Sequence, residues 1–437
     1  MEWQLALLII IGSFIVLMVL GLPVAFCFMM VNLIGVYLFW GGELGLRQLI
    51  LSLSDSVATF TLLPVAMFIL MGELMFQSGI TPNIMDALDN WIGRFPGRLS
   101  FLAVSFGTLF ATLSGSSMAS TAVMGSTLVP DMEKRGYKKS MSLGPIMGSG
   151  GLAIMIPPSG LAIVLGALGG VSIGKLLIAI IVPGLLMAVL YATYIITRCV
   201  LQPSIAPIYE VKRISLITKI MSTVRYILPL GFIIFLVIGL IFLGIATPTE
   251  AAAVGCMGSF VLVFAYGKLN WKTVKKSIGT ALRLVVMVLM IIVGAKAFSQ
   301  IMAFSGASRG LIDLFLGFSI APIFLIAAMC AILLVLGMFM GPVENMLITL
   351  PIFIPIIDAL GFNPVWFGVV VLLNMEMGIT TPPYGMTLFV MKGVAPPDTT
   401  IEDCYRAALP FLGCDLIALI LIMGFPTIAL WLPGLMN

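Results

Sequence analysis

Two stretches decide the fold: MIPPSGLAIVLG, residues 155–166, and TTPPYGMTLFV, residues 380–390. Each lies in an apolar run long enough to cross a membrane, and each carries Pro-Pro followed two residues later by Gly. Adjacent prolines remove two backbone donors and crowd the preceding turn, so no continuous helix passes either point. A chain that breaks a membrane helix twice in the same way needs the break.

The rest of the composition supports the membrane reading. Of 437 residues, 61% are hydrophobic and only 9% charged, with mean hydropathy +1.21. Soluble domains are nearer a quarter charged. Apolar stretches of about 20 residues, the length that crosses a hydrocarbon core, recur from end to end. The first, Trp3 to Leu20, has no basic flank and no small-residue cleavage site, so it is expected to be a retained span and not a signal peptide. No basic tail or soluble domain invites nucleic acid. The absence of histidine excludes His-based triads and His metal sites, and the six scattered cysteines read as small apolar residues.

The two halves correspond at an offset of 225 residues (248 − 23 = 225): Pro23 falls on Pro248, Pro130 on Pro355, Pro157 and Pro158 on Pro382 and Pro383, and Gly160 on Gly385. An internal duplication explains the register, as is common in transporters. Lys and Arg cluster at Arg94/Arg98, Lys134 to Lys139, Arg198 to Arg225, Lys268 to Arg283 and Lys392/Arg406, which marks these segments as cytoplasmic. The first two clusters bracket an apolar segment interrupted by LSGSSMAS, residues 113–120, which is therefore expected to enter and leave on one side as a re-entrant hairpin. Its counterpart, with GMFMGPVEN at residues 337–345, has few basic flanks and is expected to enter from the opposite face.

The expected fold is thus an all-α polytopic membrane protein of two inverted repeats, each with a re-entrant helical hairpin and a broken transmembrane helix. Residues 1–200 form the first repeat, with the hairpin at about 99–133 and the broken helix at about 140–171; residues 201–224 form a cytoplasmic linker. Residues 225–437 form the second repeat, with the hairpin at about 320–360 and the broken helix at about 363–392. Segments 81–96 and 306–317 read as amphipathic surface helices.

Non-helical backbone inside a bilayer is tolerated only where protein or a wet cavity surrounds it. Tips and breaks brought together offer oxygens to a small cation and positive helix ends to an anion. The expected cation ligands are Ser114, Ser116, Ile156 and Pro157 in the first half, and Gly337, Met340, Thr380, Thr381 and Pro382 in the second. Ser117, Ser159, Gly341, Asn345 and Tyr384 are the candidates for contact with substrate. Among intramembrane charges, Glu344 at a tip and Glu376 before a break stand out, either holding a cation or tying a tip to a neighbouring helix.

The order SGSSMASTAVMGSTLVPDMEKRGY (114–137), GSGGLAIMIPPSGLAIVLGAL (148–168), GIATPTEAAAVG (244–255), GMFMGPVENMLITLPIFIP (337–355) and GITTPPYGMTLFV (378–390) resembles the large membrane subunit, DctM type, of tripartite ATP-independent periplasmic (TRAP) transporters. The resemblance covers essentially the whole chain. It implies a bacterial inner-membrane secondary transporter, not an enzyme, that works by an elevator mechanism with no cofactor and sodium as the coupling ion. It also implies a small four-helix membrane subunit, expected here as a separate chain, and a periplasmic protein that delivers a carboxylate such as a C4-dicarboxylate or a sialic acid. A self-sufficient sodium/carboxylate symporter is the nearest alternative. An intramembrane enzyme and a non-transporting scaffold are more distant ones.

Overall fold

The computed structural model of the chain describes residues 2–58, 62–209, 214–317 and 321–436, and the side chains of residues 57, 111–114 and 316 lie outside that description. All regular structure among the described residues is helical. The first half runs α1 Trp3–Val19, α2 Val24–Phe39, α3 Glu43–Val57, α4 Leu63–Gln77, α5 Thr81–Asp89, α6 Arg98–Ser114, α7 Ser117–Lys134, α8 Lys139–Ser142, α9 Gly144–Met155, α10 Gly160–Gly169, α11 Ile173–Ala179 and α12 Ile181–Leu201. The second half runs α13 Leu216–Ser222, α14 Leu228–Phe242, α15 Pro248–Ala265, α16 Trp271–Phe304, α17 Ala307–Leu316, α18 Pro322–Gly337, α19 Pro342–Ala359, α20 Pro364–Thr380, α21 Met386–Val394, α22 Ile401–Gly424 and α23 Thr427–Leu430. Among the described residues, six helical stretches are long and apolar enough to cross a bilayer, and eight if two sharply bent pairs each count as one span.

The helix boundaries follow from local chemistry. Proline opens α15, α18, α19 and α20, where its missing N–H is no loss. Gly115, at φ +55°, makes the turn between α6 and α7, and Ser116 then caps α7 by accepting the Ala119 N–H at 3.3 Å. Both Pro-Pro pairs stand between helices: α9 ends at Met155 and α10 begins at Gly160, α20 ends at Thr380 and α21 begins at Met386. The axis turns by 42° across the first break. One boundary departs from expectation. Ser215 caps α13, which continues through a π turn at Thr223–Ile227 into α14, so helix begins inside the stretch read as linker. Ile320, the expected start of the second hairpin, lies outside the described residues.

The helical segments that precede the two breaks form the centre of the molecule. Every residue of α9 is buried, as is every residue of α20 from Val365 to Thr380. The sequence GPIMGSGG makes this possible, because its glycines admit neighbours that side chains would exclude: a Cβ on Gly144 would fall 2.5 Å from the Ala407 carbonyl oxygen, and one on Gly148 would fall 2.9 Å from the Phe411 ring. Around α9 pack both arms of the first hairpin, α12, α20 and α22.

On the face that carries the basic clusters, polar ties close the bundle. Arg98 pairs with Asp89 at 2.8 Å and donates to the Tyr209 hydroxyl at 2.6 Å, and Arg135 lies 4.0 Å above the Tyr209 ring. Lys139 joins the halves by pairing with Asp398 at 2.9 Å and Asp403 at 3.4 Å. The hydrogen bond from Lys139 holds the Asp398 carboxyl below the usual aspartate range.

Candidate functional site

A cavity of about 330 Å³ lies where the hairpin tips and helix breaks of both halves meet. The first tip supplies Gly115, Ser116, Ser117 and Met118, and the second supplies Gly341, Pro342, Val343 and Glu344. Ile154, Gly160, Leu161 and Val164 come from the first broken helix, and Ile379 and Met386 from the second. Val65 and Ile69 of α4, with Leu284, Met287 and Val288 of α16, close the opposite wall.

Four helices, α7, α10, α19 and α21, begin at this cavity, through Ser117, Gly160, Pro342 and Met386. The first N–H groups of a helix lack intrahelical partners and carry roughly half a positive charge together. Convergence of four such ends makes the cavity a place for negative charge without any cationic side chain. Ser117 is 7% exposed, and its hydroxyl makes no hydrogen bond within the described chain. Among the described residues, Glu344 is the one charged residue that lines the cavity. It makes no ion pair and no hydrogen bond with the described residues, and its Oε2 lies where a Cβ on Gly341 would stand.

The structure brings Ser116, Ser117, Gly341 and Glu344 together and sets the other expected residues around them. The side chain of Ser114 lies outside the described residues. Ile156 and Pro157 are buried at the first break, and Ser159 caps α10 by accepting the Ala162 N–H at 3.3 Å. Gly337 packs against Gly378 so closely that a Cβ would fall 2.9 Å from its Cα, while Met340 sits in the turn of the second tip. At the second break, the Tyr405 hydroxyl donates to the Pro383 carbonyl at 2.6 Å, beside half-buried Pro382. Thr380 and Thr381 turn their hydroxyls back, the latter donating to the Met377 carbonyl at 2.6 Å, so they satisfy the frayed end of α20 first.

Asn345, Tyr384 and Glu376, like Ile156, Pro157, Ser159, Gly337, Met340, Thr380, Thr381 and Pro382, are not among the residues that line the cavity. Asn345 is fully buried and donates to the Leu333 carbonyl at 2.8 Å, which stitches α19 to α18. Tyr384, 57% exposed, stacks on Phe389 at 6.4 Å. Glu376 packs against Gly151 of α9, with both carboxylate oxygens buried and unpartnered among the described residues. Nearby Asp415 accepts a hydrogen bond from Tyr191, so the core of the bundle holds two carboxyl groups. Asp415, Tyr191 and the α4/α16 wall carried no sequence signal beyond their place in apolar runs. The TPTE motif also has a structural reading: Thr247 and Glu250 form a capping box at the start of α15 and border a separate recess of about 960 Å³.

With this geometry in hand, comparison with known proteins is specific. The sequence profile of the tripartite ATP-independent periplasmic transporter, DctM component, matches residues 11–428. The chain belongs to the DctM family of TRAP transporter large permeases. It is 33% identical over 393 residues to the C4-dicarboxylate TRAP transporter large permease protein DctM of Pseudomonas aeruginosa, covering 89% of this chain and 90% of that one. It is 31% identical to the ectoine TRAP transporter large permease protein TeaC of Halomonas elongata, covering 98% and 99%. Among solved structures, the YdaH transporter of Alcanivorax borkumensis shares the fold, with a TM-score of 0.66, 16% identity and 90% of each chain covered. As a TRAP large permease the chain is a multi-pass protein of the bacterial inner membrane and not an enzyme, and its family works with a small membrane subunit and a periplasmic binding protein.

Proposed function

We propose that this TRAP large permease carries a small organic acid, C4-dicarboxylate or sialic-acid-like, into the cell by sodium symport, with the acid handed over by a periplasmic binding protein. The observation that carries the reading is the convergence of four helix N-termini on one cavity built from both halves of the chain. A carboxylate placed there meets unpaired N–H groups and the free Ser117 hydroxyl. The Pseudomonas relative is named for C4-dicarboxylate and the Halomonas relative for ectoine, which supports a small carboxylate-bearing substrate.

Sodium supplies the driving force in this reading. Moving a carboxylate toward a negative interior is opposed by about 2.3 kcal/mol per charge per 100 mV, and sodium ions entering in excess of the substrate charge reverse the sign. The two regions that would hold them are Ser114, Ser116 and Ser117 with the Ile156–Ser159 backbone, and Gly337, Met340 and Gly341 with Thr380, Thr381 and Pro382. Hairpins and broken helices would move together as an elevator against a wall that includes α4 and α16, exposing the cavity to each side in turn.

The test is uptake of radiolabelled acids into proteoliposomes under an imposed sodium gradient, with the chain alone and then with its small membrane subunit and binding protein. Uptake that requires sodium and both partners is the expected result. Uptake by the chain alone would favour a self-sufficient symporter, and no uptake in any combination would overturn the reading.

A further inference from the structure

Taking the cavity as the transport site proposed above, we infer that its preferred substrate is a small zwitterion, whose carboxylate rests on the helix ends near Ser117 and whose ammonium or amidinium group is received by Glu344. The charge inventory of the cavity leads there. The helix N-termini favour an anionic group, but among the described residues no Lys or Arg lines the wall to balance a second anion beside Glu344. A dicarboxylate would set its other carboxylate in a cavity whose one formal charge among the described lining residues is negative.

Glu344 is placed to meet a cation. It stands in the first turn of α19, at the edge of the cavity. Gly341 has no side chain, and the Glu344 carboxylate fills the room that a Cβ there would take. No cation or donor of the described chain engages it. The other polar lining residue with an unused group, Ser117, belongs to the other hairpin and is more than nine-tenths buried with its hydroxyl unpartnered among the described residues. The same cavity is lined by hydrocarbon from Val65, Ile69 and Met287, which suits the apolar body of a compact molecule with charge at its two ends.

Equilibrium binding to the purified full chain in nanodiscs, at saturating sodium, tests this with acids of matched length. 4-Aminobutyrate, butyrate and succinate share a four-carbon chain and differ in charge, and homologues of three to six carbons separate charge from length. The zwitterion of the preferred length is expected to bind at least about tenfold more tightly than the dianion. Glu344→Gln is expected to narrow that ratio to within about threefold, and Glu344→Asp to keep most of it.

Tighter binding of the dianion in the unmodified chain overturns the inference without touching the transport reading, and it needs no variant to fold. Glu344→Gln that loses sodium-dependent thermal stabilisation while keeping the ranking also overturns it, since the carboxylate would then be a sodium ligand. Failure of every homologue to bind, together with no sodium-driven uptake, brings down the transport site itself.

Discussion

Glu376 is the residue whose surroundings diverge most from what its position suggested. It precedes the second break by a few residues, yet its side chain points into the packed centre and faces Gly151. A buried carboxylate without a partner is unfavourable as an anion, so Glu376→Gln, which preserves shape and removes charge, is expected to be neutral or stabilising by about 1–3 kcal/mol. Differential scanning fluorimetry measures this, and a large loss of stability would mean that the folded protein supplies a counter-ion. Gly151→Ala places a methyl group against that carboxyl and is expected to cost about 1–3 kcal/mol. Because the clash is with one side chain, most of that cost should vanish in a Glu376→Ala background, which a double-mutant cycle reads directly. Sequence position alone could not separate Glu376 from Glu344, since both lie near interruptions. Which way each helix face turns depends on the neighbours.

At the scale of elements, the breaks and tips were legible because their chemistry is local. Pro-Pro ends a helix wherever it stands, Gly115 permits the left-handed turn, and serine follows as a cap at both Ser116 and Ser159. Ser159→Ala removes the fully buried cap of α10 and is expected to cost about 1 kcal/mol while weakening substrate binding, as the N-terminus of α10 borders the cavity. A thermal shift combined with an unchanged binding constant would separate the cap from the site. Glu250→Gln, by contrast, should leave substrate binding unchanged, because Glu250 serves the capping box of α15 and not the cavity. Helix α13 begins at Leu216, within the stretch 201–224 read as a cytoplasmic linker, and its local signal is the Ser215 cap, which accepts the Thr218 N–H at 3.2 Å.

For the whole molecule, the proposed motion makes a labelling prediction. All six cysteines are buried, so the unmodified chain should react slowly with a polar maleimide. A single cysteine at Met118, 44% exposed at the first tip, should react readily, and sodium with a bound acid should slow the reaction. Unchanged labelling on adding both would count against closure of the cavity. The tie between halves at Lys139 should persist at neutral pH. Its partner Asp398 has a lowered pKa, so the pair is complete above the usual aspartate range and is lost only as acidity drives the pH below it.

Composition and local backbone chemistry determined a great deal by themselves: a helical membrane protein, two hairpin tips, two broken helices and the basic clusters, while the order of the motifs carried the resemblance to the transporter family. Proline, glycine and capping serines act within a turn of where they stand, so no partner is needed to read them. Only the tertiary structure decided which residues share the cavity. It selected Val65, Ile69, Leu284, Met287 and Val288 as the wall, turned Glu344 inward, and left Asn345 and Glu376 to packing. The physical reason is that a membrane helix is apolar toward lipid and toward protein alike, so the alternation that reveals the inner face of a soluble helix is absent here. The side that meets the site is chosen by the close approach of glycines on α9 and by the crossing of helices far apart in the chain.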